Sequence, residues 1–397
     1  MTKLRASYLV LPVLLLGGLQ IPGCNREAVT VTPPPPPGGV YLSDSAGALY
    51  DQSVQRDDEP GKNISFPMWR AHQPVHRPQT IYLAAGNRDI TVSHNFGQSW
   101  EIIDTPLATI SSIIELTNGV LVASGRDVNR QGFIIRSGDD GKSWEEVLTV
   151  PQPIQPKKRR LDIIKVPGSN QTSDLGVPLV TVTLVADPLD GNRVYAGTNL
   201  GNILVSDQSA KTWTTIRTLE KSDTAIGIRE IIPSPHRSGE LIIRKSDYQL
   251  LSVTNEGVKP ITVKAAEVLL QGEAEPGKAS GIWQVRYIDQ FPKTLLVSLR
   301  NGAAISRDGG LSWTRLPLPV DVGRRFNFIS VAVSPVNPDR MFVAVNDVIY
   351  RSEDGGKSWH TLALEIGTNV VIDILFDPDN PAKMLLITTT IPIANVL

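Results

Sequence analysis

The sequence predicts an all-β chain: a single seven-bladed β-propeller of four-stranded antiparallel blades. Three observations predict it. An octapeptide of the form Ser-x-Asp-x-Gly-x-x-Trp recurs along the chain between short β-branched and aliphatic runs. Its copies start at residues 43, 93, 137, 206, 253, 306 and 352, at intervals of 50, 44, 69, 47, 53 and 46, close to the length of one four-stranded blade. The two ends of the chain each carry half a repeat.

The octapeptide is itself a turn. In the last copy, Ser352 to Trp359, Val348-Ile349-Tyr350 leads in and His360-Thr361-Leu362 leads out. Asp354 can bond backbone N–H groups further along the turn. Gly356 takes positive φ without steric cost. Trp359 closes the turn with a large apolar surface and an indole donor. The clearest other copies carry Ser93, Asn95, Gly97 and Trp100; Ser137, Asp139, Gly141 and Trp144; and Ser306, Asp308, Gly310 and Trp313. The copy from Ser206 to Trp213 has lost both the Asp and the Gly. The copy at Ser43 has Tyr50 in the Trp position, and the one at Val253 has Pro260 there. Carboxylates repeated at blade spacing read as turn-builders rather than as a catalytic centre.

Most periods hold two strands before the box, joined by Pro/Asn/Asp turns such as Asp187-Pro188-Leu189-Asp190 and Ser334-Pro335-Val336-Asn337-Pro338. One blade therefore runs strand A, Pro turn, strand B, strand C, box, strand D. After Trp359 come an A strand (Val370 to Phe376) and a B strand (Met384 to Thr388), with no box. At the other end, Val40-Tyr41-Leu42 and a box come first, with no A or B strand before them. The seventh blade is thus expected to pair N-terminal strands C and D with C-terminal strands A and B, which removes exposed sheet edges.

The propeller is placed at 39–397. Before it, Lys3 and Arg5 precede an apolar run from Tyr8 to Pro22 that ends at Gly23-Cys24, which reads as a secretory signal over 1–23. Cys24 is the sole cysteine, so no intrachain disulfide or thiol metal cluster can form. Residues 24–38 include Pro33 to Pro37 and form a semi-rigid stalk. The long interval holds a Pro-rich insertion, 151–178, with the basic run Lys157-Lys158-Arg159-Arg160. A net charge of -1 implies no bulk attraction to nucleic acid. No cofactor or metal motif is present; His72 and His76 have i,i+4 spacing but no helical pattern around them.

These residues carry family resemblances. Ile21-Pro22-Gly23-Cys24 resembles the bacterial lipoprotein lipobox, which implies a lipidated Cys24 and a domain anchored to a membrane outside the cytoplasm, the outer membrane in a Gram-negative cell. A plain signal peptide or an uncleaved anchor is the other reading. The octapeptide resembles the Asp-box, or BNR, repeat of sialidases, xyloglucanases, the sortilin ectodomain and the photosystem II stability and assembly factor. That resemblance covers nearly all of residues 39–390 and implies the propeller fold far more strongly than any activity.

A sialidase-like site implies an arginine triad, a Tyr nucleophile paired with Glu, and an acid Asp; the Arg-Ile-Pro motif of that family is absent. Counting back from the Pro of each A–B turn puts Arg229 and Arg286 at one register of adjacent A strands. Glu230 and Tyr287 come next, and Thr183, Ser330 and Asp373 fall at the equivalent position. Such residues would line a central channel. In a glycosidase, Glu230, Asp373 and Tyr287 would be the catalytic set; otherwise they form a solvated wall. Xyloglucanases of this type place two propellers about a cleft, whereas one is predicted here. Two functions follow: a monomeric, non-enzymatic binding or assembly platform of the cell envelope, or a secreted glycoside hydrolase or carbohydrate-binding protein. For the platform, the inner-strand residues Arg229, Arg286, Glu230 and Tyr287 and the basic run Lys157 to Arg160 are the contacts expected for an envelope protein or glycan.

Overall fold

The computed structural model describes residues 39–150, 182–219, 227–261, 282–320 and 329–390, apart from a few runs of one to three positions within those ranges. Every described strand belongs to one of seven four-stranded antiparallel sheets. Six of these blades are continuous in sequence, at 70–104, 109–150, 182–218, 228–261, 282–315 and 329–363, and are numbered 1 to 6. Blade 7 is made from both ends of the chain: Asn369–Phe376 and Met384–Thr390 supply strands A and B, and Val40–Ser43 and Asp51–Gln52 supply C and D. Strand A is innermost in every blade, and each A strand touches the next one around the whole ring.

The seam of blade 7 is set by register. Val40, Tyr41, Leu42 and Ser43 pair with Ile387, Leu386, Leu385 and Met384. Beyond the strand end, the Thr388 amide donates to the Gly39 carbonyl at 3.0 Å and the Gly39 amide donates to Thr388 Oγ1 at 2.8 Å. A one-residue slip would turn Val40 and Leu42 to the opposite face.

Each B strand is covered by neighbouring blades on both faces, which explains its nearly continuous apolar character. Ile81–Ala84, Leu295–Leu299 and Met341–Val345 are buried throughout. Seven apolar clusters fill the ring, one between each pair of successive blades. The outer D strands face solvent, as in Thr214–Thr218, where every residue is exposed.

The boxes fasten each blade to the one before it. Ser352 Oγ accepts the Gly356 amide at 2.8 Å, and the same bond joins Ser93 to Gly97, Ser137 to Gly141 and Ser306 to Gly310. Asp354 accepts the Ser358 amide at 2.9 Å and the Ser358 hydroxyl at 2.6 Å. The indoles of Trp313 and Trp359 donate to the carbonyls of Gly310 and Gly356 at 3.1 Å. The glycine is required twice over. Its φ is positive (87° at Gly356), and a Cβ there would lie 2.8 Å from Leu316 of the preceding blade. The corresponding approach is 2.4 Å from Gly141 to Ile103 and 2.6 Å from Gly310 to Ile261.

Two degraded copies behave differently. From Ser206 to Trp213 the turn survives without its glycine: Ser209 and Ala210 take φ of 50° and 65°, and the Trp213 indole still donates to the Ala210 carbonyl at 3.1 Å. At Val253 no box forms. Leu250–Thr254 returns directly into Gly257–Ile261, with Thr254 opposite Gly257 and only Asn255 and Glu256 between them. Pro260 lies within strand D, opposite Leu251, so its ring does not replace a tryptophan.

The box carboxylates give the fold a defined response to acid. The Ser143 and Ser312 hydroxyls and amides hold Asp139 and Asp308 down to about 2, and Asp354 lies lower still through the same bonds from Ser358. A depressed carboxyl stabilises the folded state above its unfolded value, and that stabilisation disappears as pH falls through the folded value. Thermal unfolding followed by circular dichroism should therefore lose Tm between about pH 4 and pH 2. Replacing Asp139, Asp308 and Asp354 together by Asn should flatten that segment of the profile.

Candidate functional site

The candidate site is the inner wall of the ring. One position on each A strand faces the fourth residue of its B-strand core: Arg70, Ser112, Thr183, Glu230, Gln284, Ser330 and Asp373, paired with Ala84, Ser124, Gly197, Arg244, Ser298, Ala344 and Ile387. All seven are polar, and together they form one level of the channel near the start of the A strands. In blades 2, 4, 5 and 7 a β-bulge precedes this level, and the extra residues are Ser111, Arg229, Trp283 and Ile372. A bulge re-aims the side chains beside it.

Of the residues expected at one register, Thr183, Glu230, Ser330 and Asp373 share this level. Tyr287 does not. Blade 5 contributes Gln284 instead, and Tyr287 lies three residues further along, opposite Leu295. The Tyr287 hydroxyl bonds Ser234, and burial pushes it up to about 12. Arg229 and Arg286 are likewise offset: Arg229 is the bulge residue of blade 4, whereas Arg286 lies three positions beyond the bulge of blade 5. The reason is local. The turn of blade 5 carries its proline three residues later than the turns of blades 3, 4, 6 and 7, so counting from Pro292 shifts the register. Counting from the B-strand residue that faces the first box position works better. The channel residue stands eleven residues before it in six of the seven blades. That count also finds Arg70 and Gln284, which proline-based counting misses.

The level is cross-braced. Arg70 spans from blade 1 to donate to Thr183 Oγ1 at 2.5 Å and to the Arg229 carbonyl. Glu230 accepts from Arg244 Nε at 2.9 Å and Arg286 Nη1 at 3.0 Å, and Arg286 Nη2 reaches Asp373 at 3.3 Å. Gln284 ties blade 5 to blade 7 through the Ile372 carbonyl at 2.8 Å, and accepts from Ser330 Oγ at 3.1 Å and the Val331 amide at 3.0 Å.

Burial and pairing set the charges. Burial raises the Glu230 carboxyl, but Arg244, Arg286 and Arg70 together outweigh it and hold Glu230 below its ordinary value. At Asp373 burial wins over Arg286, and the pKa is raised. Burial lowers Arg70, helped by the neighbouring arginines and opposed by Glu230. One guanidinium, Arg286, is therefore the shared counter-ion of both channel carboxylates. A glycosidase pair also keeps one carboxyl as an acid and the other ionised, but leaves them free for substrate, whereas here Arg286 holds both Glu230 and Asp373. Arg229 stands apart. It is exposed on the innermost strand, and among the described residues no acidic side chain pairs with it.

Deeper along the channel, Glu115 is fully buried. Its carboxylate takes the Arg77 guanidinium at 2.8 Å, His76 Nε2 at 3.3 Å and the Tyr82 hydroxyl at 3.1 Å. His72 stacks on Tyr82 and is pushed down to about 4 by burial, so it is neutral. His72 and His76 thus serve a blade-to-blade polar contact, and among the described residues no group of metal-ligating side chains gathers. Cys24, Lys157, Lys158, Arg159 and Arg160 lie outside the described residues.

No protein-family model matches the sequence, and no curated protein matches it. Solved structures match by fold. The glycoside hydrolase family 74 xyloglucanase from Xanthomonas campestris superposes with a TM-score of 0.58 at 16% identity, over 85% of this chain and 54% of that one. YCF48 from Cyanidioschyzon merolae superposes at 0.54 and 17% identity, over 81% and 95% of the two chains. A structure of YCF48 bound to D1 peptide superposes at 0.51 and 18%, over 85% and 98%. This chain spans about half the length of the xyloglucanase and nearly all of YCF48. The likeness is one of fold, and the fold has both an enzyme and a peptide-bound protein among its members.

The shared counter-ion gives a direct test of the channel network. Arg286→Met should cost about 1–3 kcal/mol in urea unfolding, because it strands two partly buried carboxylates. Adding Asp373→Asn should return part of that loss. Additive losses would show that Arg286 and Asp373 are not coupled.

Proposed function

We propose that the chain is a non-enzymatic binding and assembly platform of the bacterial cell envelope, tethered through Cys24 and acting through the channel mouth and the loop face around it. The observation that carries this reading is Arg229, an exposed cation with no acidic partner among the described residues, beside two carboxylates already engaged by Arg286 and Arg244. Such a wall holds spare positive charge for a partner, while its two carboxylates are occupied by arginines. The face has other supports. A strands begin at this end, and Val150 and Val182, which flank the basic insertion, both stand there. Gly39, where the stalk joins, is at the same end. Arg229, Gly39 and the described residues on either side of the insertion thus belong to one side of the ring. That a propeller of this fold has been captured with a bound peptide is consistent with the reading.

Two measurements test it. Envelope protein retained by the immobilised chain should fall about tenfold in Arg229→Glu, since reversing a rim charge acts on encounter and affinity together. Unchanged retention sinks the assignment of the mouth. The glycosidase alternative gains if a glycan panel is hydrolysed and the activity disappears in Glu230→Gln. Cys24→Ala should move the protein from the membrane to the soluble fraction, and continued membrane retention would refute a lipid tether.

A further inference from the structure

Blade 4 is the blade in which no box forms, and the consequence appears on its neighbour. In four of the other interfaces the box glycine closes over a residue in or just after the preceding D strand: Gly47 over Leu362, Gly141 over Ile103, Gly310 over Ile261 and Gly356 over Leu316. Those D residues pair with the C-strand residue three places before the box serine, as Ile103 pairs with Ile90 and Ile261 with Leu250. In blade 3 that C-strand residue is Ile203, and its partner is Arg217, with Ile216 bulged beside it. No box covers them. Ile216 is 43% exposed, and Arg217 is exposed with no ion pair among the described residues.

The missing turn leaves a cavity of about 320 Å³ with Tyr195, Val205, Ile216 and Val253 on its wall and Arg217 and Asn255 at its edge. A second depression of about 500 Å³ adjoins it, sharing Gly239, Thr254 and Asn255. The other charges around the two are paired among themselves: Arg193 with Asp207, Arg237 with Glu240 and Lys259 with Glu256. The site therefore combines an apolar patch, Tyr195, Val205, Ile216 and Val253, with a polar remainder and one cation, Arg217, that has no ion pair among the described residues.

We propose that this notch is a docking site for a short segment of a protein partner, carrying an aromatic residue next to an aspartate or glutamate. The chain itself indicates the occupant. Tyr50, Trp100, Trp144, Trp213, Trp313 and Trp359 stand at the aromatic position of the other six copies, and blade 4 has no such residue. A partner's aromatic ring restores the missing plug, and its carboxylate meets Arg217 bidentately. Aromatic anchors in pockets are where binding energy concentrates. The notch lies on the turn face, at the opposite end of the strands from Arg229, so it is independent of the channel reading.

The test is to pan a phage-displayed random dodecapeptide library on the full-length chain, then measure enriched peptides by fluorescence anisotropy. Enriched sequences should pair an aromatic with a neighbouring acid. Their affinity should fall about tenfold in Arg217→Glu and also in Thr254→Trp, which fills the notch, and should be unchanged in Arg229→Glu. Both notch substitutions sit at the surface, and their circular dichroism should match the parent. Enriched peptides without the pair, or equal binding to the parent and both notch variants, overturn the proposal. A dimer in light scattering that dissociates in Arg217→Glu would also overturn it, by giving the notch to a second copy of this chain.

Discussion

The ring depends on one short pairing, four residues of the N-terminal strand Val40–Ser43 against Met384–Ile387. Everything else in the propeller is local: each of the other blades forms from one consecutive run of residues and packs on the blade before it. The closing hydrogen bonds join residues 349 apart in sequence. The entropic cost of so long a closure rises only logarithmically with length, so it is modest at equilibrium. It weighs on kinetics instead, because the closure entropy is lost before the seam's own contacts can reward it. Until then blades 1 and 6 each lack a neighbour, and the apolar clusters that Leu385 and Phe342 complete are open to water.

The repeated turn solves a second problem. Blades in a ring must be held side by side at a fixed angle, yet their outer edges diverge. Each box fills that widening gap with a turn that satisfies its own polar groups and presents a glycine and an indole to the next blade. The blade at 182–218 shows which part is indispensable. It dispenses with both Asp and Gly, but keeps the left-handed backbone at Ser209 and Ala210 and the indole bond. Backbone shape and aromatic contact matter more than the residues that make them easy.

Blade number, strand order and the mixed closing blade were legible in the sequence, because each rests on periodicity and on short-range turn chemistry. The wall of the channel was legible in part. Glu230, Asp373, Thr183 and Ser330 come out of a simple count from the turns, while Tyr287 was misplaced because the proline of its turn occupies a different place. Arg70 was hidden for another reason. Its strand is three residues long and follows a stretch without strand character. Nor could a count of residues show that Arg286 serves two carboxylates from different blades, which is a matter of side-chain reach. The open turn at Asn255-Glu256 was read as a worn box; only the neighbouring Ile216 and Arg217, left uncovered, give it meaning.

Arg70 has a wider consequence. Its side chain lies across the centre of the ring, from blade 1 to the walls of blades 3 and 4, and Glu230, Arg286 and Asp373 link blades 4, 5 and 7. The middle of the propeller is thus a diaphragm rather than a conduit. A molecule held at one mouth is screened from the other by a layer of fixed, mutually compensating charges. The ring therefore has two chemically separate ends, and whatever meets one mouth is kept apart from whatever meets the other.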